Sequence, residues 1–249
     1  MSGHSKWAGI KHKKSIMDAK RGKVFTKVIR EIIVASKEGG PKVENNPRLK
    51  KAIECAKEVN MPQNNIKKAL QRNNIGIPRI TYEEIVYEGY GLSGVALIVE
   101  VITDNKNRTV SDLRKIFSNC GGNLSEVGSV LWMFDRKGCI SVDKSSTDEE
   151  TLITIALESD VEDFKNELSS DEYELIVSPS RLSAVKNVLK EKHIEIVLAE
   201  IIMISKIQVS VNSDDAKHIL KLVNALEERD DVKNVYVNFE IPSEDIDKN

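Results

Sequence analysis

The sequence predicts an α+β fold, in which an N-terminal helical domain precedes small α/β sandwiches of the ferredoxin-like kind. Apolar residues follow a helical period between residues 25 and 70, whereas from residue 82 short Val- and Ile-rich segments alternate with amphipathic ones. Charge divides at the same place. Residues 1–80 hold 19 Lys and Arg against 6 Asp and Glu, and residues 81–249 hold 18 against 33. Both changes predict a domain boundary near residue 80.

The helical part is predicted to contain three helices behind a basic arm. Residues 1–20 show no clean period and predict an extended arm. One face of the first helix is apolar and the other is basic; the apolar set is Phe25, Val28, Ile29, Ile32, Ile33 and Ser36, and the basic set is Lys20, Lys23, Lys27 and Arg30.

Turn residues separate these helices from one another. Gly39-Gly40-Pro41 ends the first helix, and Asn46-Pro47 supplies a cap and a first-turn proline for the second. Asn60-Met61-Pro62 ends the second helix, and a third carries Ile66, Ala69 and Leu70 on one side. Residues 75–80 predict a linker.

The remainder of the chain alternates strands with helices. The predicted strands cover residues 84–88, 95–103, 130–134, 140–142, 173–177, 194–204, 208–211 and 235–239. The predicted helices begin near residues 107, 149, 180 and 214. This alternation predicts the α/β sandwiches, and the acidic residues 242–249 predict a loose tail.

The sequence lacks the usual signs of an enzyme or a membrane protein. No stretch of about 18 apolar residues occurs, and Cys55, Cys120 and Cys139 form no C-x-x-C pair, which predicts a cytoplasmic protein without a metal site. The stretch GYGLSG at 89–94 matches a dinucleotide fingerprint, but an apolar strand rather than a helix follows, which predicts a hairpin turn. We therefore expect no catalytic residues, no cofactor and no small-molecule substrate.

The basic N-terminal part predicts a nucleic-acid partner, because clustered Lys and Arg neutralise phosphates and release counterions. Trp7 lies among these cations and has the chemistry to stack on an unpaired base. Arg108 lies in the polar stretch TDNKNRT at 103–109, where helix capping by Asp104, Asn105 or Asn107 is the simpler explanation. The candidate nucleic-acid-binding residues are Lys6, Trp7, Lys11, His12, Lys13, Lys14, Lys20, Arg21, Lys23, Lys27, Arg30 and Arg108.

Several stretches together resemble the YebC/PmpR family, whose relatives include the mitochondrial translational activator of cytochrome oxidase subunit one. They are GHSKWAGIKHKKSIMDAKRGKVFTKVIREI, NNPRLKKAI, NMPQNNIKKAL, YEGYG, TDNKNRT and GGNLSEVGSVLWMF. The resemblance covers nearly the whole chain and is strongest over residues 1–134. The chain departs from it at Leu92-Ser93 and near Ser205, where the family commonly has Pro-Gly and proline.

The resemblance implies a domain organisation and two competing functions. It implies a helical domain at 1–80, a middle α/β domain at 81–134 plus 206–241, and an inserted α/β domain at 135–205. It also implies a non-enzymatic, cytoplasmic, DNA-binding regulator of transcription, or else a ribosome-associated translation factor that binds ribosomal RNA or tRNA. Neither the choice between DNA and RNA nor the oligomeric state follows from the sequence.

Overall fold

The computed structural model describes residues 21–71, 81–166 and 170–240, and for residues 21 and 22 it describes the backbone alone. The predicted arm at 1–20, the linker at 75–80 and the acidic tail at 242–249 lie outside these ranges. The described residues divide into two compact units, one formed by residues 132–208 and the other by residues 21–131 together with 209–240.

Three helices form the N-terminal part of the second of these units: α1 (Arg21–Gly39), α2 (Pro47–Glu58) and α3 (Gln63–Gln71). Their apolar faces meet in one core, as the helical period predicts. Its buried members are Ile32, Ile33, Ala35, Leu49, Ala52, Ala56, Met61, Ile66 and Ala69, with Phe25, Val28 and Ile29 partly buried against them.

Asn46 fixes the turn between α1 and α2. Its side chain accepts a hydrogen bond from the Leu49 N–H at 3.0 Å, which confirms the predicted cap. The same side chain donates to the carbonyl oxygens of Ala35 (2.7 Å) and Gly40 (2.8 Å). One buried amide thus satisfies backbone groups at the end of one helix and the start of the next.

A four-stranded antiparallel sheet completes this unit, with the strand order β3-β1-β2-β9. Its elements are β1 (Glu83–Tyr90), β2 (Ala96–Thr103), α4 (Lys106–Asn119), β3 (Asn123–Ser125), β8 (Val209–Ser210), α7 (Ser213–Glu227), β9 (Val232–Val237) and β10 (Phe239–Glu240). Strands β8 and β10 pair separately and in parallel. Consecutive residues Leu97, Ile98 and Val99 are all fully buried, so both faces of β2 are covered.

The unit at 132–208 has the element order of a ferredoxin-like domain. It contains β4 (Phe134–Asp143), α5 (Glu149–Glu158), β5 (Asp163–Asn166), β6 (Glu172–Val177), α6 (Leu182–Glu191) and β7 (Ile196–Ser205). All its strand pairs are antiparallel, in the order β5-β6-β4-β7. The sheet of the other unit departs from this order, because β1 and β2 form a hairpin with no α-helix between them.

The structure confirms the α+β fold class and the hairpin turn at 89–94. There Ser93 and Gly94 adopt positive φ angles of 56° and 73° between the paired strands β1 and β2. The predicted strand at 130–134 is wrong, because residues 131–133 form a short 3-10 helix and β4 begins only at Phe134. The short strands β3 and β5 were not predicted.

Glu88 explains why residues 130 and 131 do not join a strand. This side chain is 2 % exposed, and its carboxylate accepts the backbone N–H groups of Gly128 (2.6 Å), Val130 (2.7 Å) and Leu131 (2.8 Å). These N–H groups therefore bond to a side chain instead of to a neighbouring strand. Burial alone would raise the pKa of Glu88, but the three hydrogen bonds outweigh it and lower that pKa.

We predict that Glu88→Gln lowers the free energy of unfolding by about 2 kcal/mol at pH 7, because a neutral amide accepts these N–H groups less strongly. Because the pKa of Glu88 is lower in the folded protein, its ionised form stabilises the fold above the unfolded pKa, about 4.3. That contribution is lost as the pH falls through the folded pKa. Urea denaturation at pH 7 and at lower pH should show the difference between variant and wild type shrinking in acid.

Glu83→Gln is the matched control, since Glu83 is exposed on the same strand. We expect it to leave the stability within about 0.5 kcal/mol of wild type. Equal stability of the Glu88→Gln variant and wild type at pH 7 would contradict this role for Glu88.

Candidate nucleic-acid interface

Four of the candidate binding residues have side chains that the structure describes, namely Lys23, Lys27, Arg30 and Arg108. Arg21 begins α1, and its side chain is not described. The others lie outside the described residues and stay predictions: Lys6, Trp7, Lys11, His12, Lys13, Lys14 and Lys20.

Lys23 and Lys27 contact the carboxyl end of helix α7. The Lys23 Nζ donates to the carbonyl oxygen of Glu228 at 2.9 Å, and the Lys27 Nζ donates to that of Glu227 at 2.6 Å. Carbonyl groups at a helix end lack intrahelical partners and carry a partial negative charge, so two ammonium groups there stabilise the packing of α1 on α7. The basic face predicted for α1 thus meets protein groups at Lys23 and Lys27, and the role of these lysines in binding nucleic acid stays a prediction.

Arg30 is also half-buried on this side of α1. Its guanidinium carbon lies 5.8 Å from the centre of the Tyr82 ring, within range of a cation–π interaction. Its Nε and one terminal nitrogen are buried and have no hydrogen-bond partner among the described residues. The side chain thus faces protein rather than open solvent.

A network of ion pairs joins the helices to the sheet of the same unit. Glu31 on α1 accepts the Arg48 Nε at 2.7 Å and lies 3.0 Å from the Lys233 Nζ on β9. Arg48 also bonds Glu38 on α1 at 2.5 Å and Glu84 on β1. Burial alone would raise the pKa of Glu31, but Arg48 and Lys233 outweigh it and lower that pKa.

The polar stretch at 103–109 forms the start of helix α4. Asn105 caps the helix by accepting the Arg108 N–H at 3.0 Å, which confirms one of the three capping alternatives. The Arg108 guanidinium pairs with Asp104 at 2.5 Å and is about half exposed. Arg108 is therefore accessible, but its charge already has a partner.

Beneath this stretch lies a buried polar cluster that the sequence did not reveal. The hydroxyl oxygens of Thr103 and Thr109 are 2.8 Å apart, and Thr109 donates to Asp231 at 2.6 Å. Arg229 donates to both carboxylate oxygens of Asp231, at 2.8 and 2.9 Å, and also pairs with Asp112. The cluster fixes the ends of β2 and α4 against β9, so these threonines serve the fold.

Four lysines on α2 and α3 have the opposite environment to Lys23 and Lys27. Lys50, Lys57, Lys67 and Lys68 are exposed and form no ion pair with any residue in the described ranges. Lys50 and Lys57 lie outward of the buried Leu49, Ala52 and Ala56. They were not among the candidate binding residues, although their helical spacing was a signal that could have placed them there.

Two classes of site are absent from the described residues. Within 21–71, 81–166 and 170–240, no group of three or more His, Cys, Asp or Glu side chains is arranged to hold a metal ion. No helix in the same ranges is long and apolar enough to span a bilayer.

Family comparisons cover almost all of the chain. A family described as "TACO1/YebC protein N-terminal domain" matches residues 5–75, and one described as "TACO1/YebC second and third domain" matches residues 82–239. The two matches meet near residue 80, where the charge changes sign.

Individual relatives are similar over their whole lengths. A protein of Endomicrobium trichonymphae is 62 % identical over 100 % of this chain and 99 % of its own, and one of Dictyoglomus thermophilum is 52 % identical over 98 % of both. Each is named a probable transcriptional regulatory protein. The crystal structure of a conserved hypothetical protein from Aquifex aeolicus is similar with a TM-score of 0.85 and 44 % identity, over 96 % of this chain and 98 % of that one.

The contacts of Lys23 and Lys27 predict that they contribute to stability. Changing both to Gln should lower the free energy of unfolding of the full chain by about 1–2 kcal/mol, because cations at a helix carboxyl end each contribute about 0.3–1 kcal/mol or somewhat more when half-buried. Urea denaturation measures this. The control is Lys50→Gln with Lys57→Gln, which should change stability by less than about 0.5 kcal/mol per site. Equal stabilities of the two double variants would contradict the assignment.

Proposed function

The chain belongs to the TACO1/YebC family, and on that premise we propose that it is a non-enzymatic regulatory protein that binds nucleic acid through its N-terminal part. The observation that carries the proposal is the charge division, 19 Lys and Arg against 6 Asp and Glu in residues 1–80. A module of this charge repels itself and is favoured by a polyanionic partner. The acidic remainder makes the same role unfavourable for residues 81–249.

DNA is the partner we propose first, with regulation of transcription as the role. The names of the similar proteins from Endomicrobium and Dictyoglomus support this choice. The protein is proposed to act in the cytoplasm, with no cofactor and no small-molecule substrate.

A second candidate is a translation factor that binds ribosomal RNA or tRNA. Trp7 favours it, because an indole ring between cations stacks on unpaired bases, which RNA loops expose and intact duplex DNA does not. Sequencing of nucleic acid crosslinked to the protein in cells separates the two candidates, since one predicts genomic sites and the other predicts ribosomal or transfer RNA.

The predicted arm is proposed to supply the first phosphate contacts. It contains four lysines within nine residues, Lys6, Lys11, Lys13 and Lys14, with Trp7 and His12 between them. The three domains are proposed to have different roles. The helical domain binds the nucleic acid, and the acidic middle and inserted α/β domains form a scaffold that does not bind it.

We predict a steep salt dependence of binding that falls when the arm loses its charge. With five to eight phosphate contacts, the logarithm of the affinity of the full chain for duplex DNA should fall against the logarithm of salt with a slope of roughly −4 to −7. Changing Lys6, Lys11, Lys13 and Lys14 to Gln should make that slope shallower by about 3. Fluorescence anisotropy at several salt concentrations measures both.

The control variant carries the same loss of charge elsewhere. Lys115, Lys190, Lys192 and Lys221 are exposed and form no ion pair within the described ranges, and changing them to Gln should leave the slope unchanged. If wild type bound neither duplex DNA nor structured RNA at low salt, the proposed function would be wrong. If the control weakened binding as much as the arm variant, the N-terminal location would be wrong.

A further inference from the structure

We infer that the exposed lysines of α2 and α3, namely Lys50, Lys57, Lys67 and Lys68, form a phosphate-binding surface that continues the nucleic-acid interface beyond the arm. We call these four residues the α2–α3 surface. The inference rests on the proposed function and deepens it, because it assigns the contact within the helical domain to α2 and α3 instead of to α1.

The first argument is that three cations on α1, namely Lys23, Lys27 and Arg30, contact groups of the protein, whereas Lys37 lies in the last turn of the helix and is exposed. Lys23 and Lys27 donate to carbonyl oxygens of Glu228 and Glu227, and Arg30 lies over Tyr82. A phosphate at these side chains would have to compete with the carbonyl oxygens at the end of α7 and with the Tyr82 ring for the same cations. A nucleic acid would then gain phosphate contacts only at the cost of contacts within the protein.

The same argument applies to Arg48, the first basic residue of α2. Its guanidinium already bonds the carboxylates of Glu31, Glu38 and Glu84, and these contacts raise its pKa despite burial. Three carboxylates around one cation leave no positive charge to offer to a phosphate. On α2 and α3, the exposed charge available to a polyanion therefore comes from lysines that follow Arg48.

On α2, the buried positions direct Lys50 and Lys57 to solvent. Leu49, Ala52 and Ala56 are at most 4 % exposed and pack in the helical core. Lys50 and Lys57 are seven residues apart, which places them on one side of the helix about 10 Å apart along its axis. Glu54 lies between them on that side, so the outward charge of α2 is mixed.

Helix α3 presents positive charge without any acid. Its sequence QNNIKKALQ buries Ile66 and Ala69 and leaves Lys67 and Lys68 exposed. Exposed amides surround the two lysines, those of Gln63, Asn64 and Gln71. Lysines and amides are both frequent donors to phosphate and sugar oxygens. Helix α3 therefore presents donors suited to a nucleic-acid backbone and has no carboxylate that would repel it. We therefore expect Lys67 and Lys68 to contribute more than Lys50 and Lys57.

The alternative is that the α2–α3 surface only keeps the protein soluble. The two explanations differ in salt dependence, since a solvated lysine that meets no phosphate adds nothing to the number of counterions released. They differ also in geometry, because a solvating surface tolerates any polar replacement, whereas phosphate contacts need a cation at the same position.

The experiment measures binding of the full chain to a fluorescent duplex DNA and to a fluorescent RNA hairpin at several salt concentrations. Two variants are compared with wild type, Lys50→Gln with Lys57→Gln, and Lys67→Gln with Lys68→Gln. The charge-retaining variant is Lys67→Arg with Lys68→Arg. The control with equal loss of charge is Lys190→Gln with Lys192→Gln on and after α6, both exposed.

We expect the Lys67 and Lys68 pair of Gln substitutions to weaken binding roughly tenfold and to make the salt slope shallower by about 1–2, since each lost phosphate contact removes about 0.9. The Lys50 and Lys57 pair should have the same effect to a smaller degree. The Arg variant and the control should bind like wild type. All four should melt within about 2 °C of wild type, because the changed side chains are exposed and unpaired.

Each outcome decides between the claims. Wild-type binding with unchanged affinity and slope in both Gln variants overturns the α2–α3 surface and leaves the proposed function standing. No wild-type binding to either probe overturns the proposed function and the surface together. A loss of binding restricted to one probe identifies that nucleic acid as the ligand. Because the two lysine pairs are changed in separate variants, a folding defect in one variant leaves the other variant to test the surface.

Discussion

The carboxylate of Glu31 is the interaction on which the arrangement of the helices and their sheet depends. The Glu31 side chain is 21 % exposed and lies between Arg48 of α2 and Lys233 of β9, and Arg48 extends the network to Glu38 and Glu84. A buried carboxylate needs cations or hydrogen-bond donors to offset its lost hydration, and for Glu31 these are Arg48 and Lys233, so removal of either one would leave its charge less well compensated. The network therefore couples α1, α2, β1 and β9, and it keeps α1 in the position where Lys23 and Lys27 reach the end of α7.

This coupling divides the positive charge of the N-terminal part into two populations. One population, formed by Lys23, Lys27, Arg30 and Arg48, bonds carbonyls, carboxylates and an aromatic ring, and it stabilises the fold. The other, formed by Lys50, Lys57, Lys67 and Lys68, is exposed and unpaired within the described ranges. A count of Lys and Arg in the sequence does not distinguish the two populations, although only the second releases counterions when it meets phosphates. A basic composition thus indicates a polyanionic partner, but the structure is needed to indicate which cations meet it.

Local features of the fold followed from the sequence, and long-range ones did not. The Asn46 cap and the buried faces of α1 and α2 were predictable, because caps and helical periods involve residues within a few positions of each other. The Glu88 carboxylate bonds residues 40 or more positions away, and Lys23 meets Glu228 across 205 positions. No local sequence pattern predicts hydrogen-bond partners that are so far apart in the chain. Strand β5, with the sequence DFKN, lacks apolar alternation and forms because β6 offers it an edge. The contacts of Lys23 and Lys27 with the end of α7 are likewise long-range, so the sequence did not predict them.

Lysine acetylation of the full chain, quantified site by site by mass spectrometry with and without saturating nucleic acid, tests the division of charge most directly. In the free protein, Lys50, Lys57, Lys67 and Lys68 should react readily, and Lys23 and Lys27 should react slowly because their ammonium groups donate to backbone carbonyls. Added nucleic acid should protect the first four and leave the reactivity of Lys23 and Lys27 unchanged. Protection of Lys23 and Lys27, with no change at the α2–α3 surface, would contradict the account.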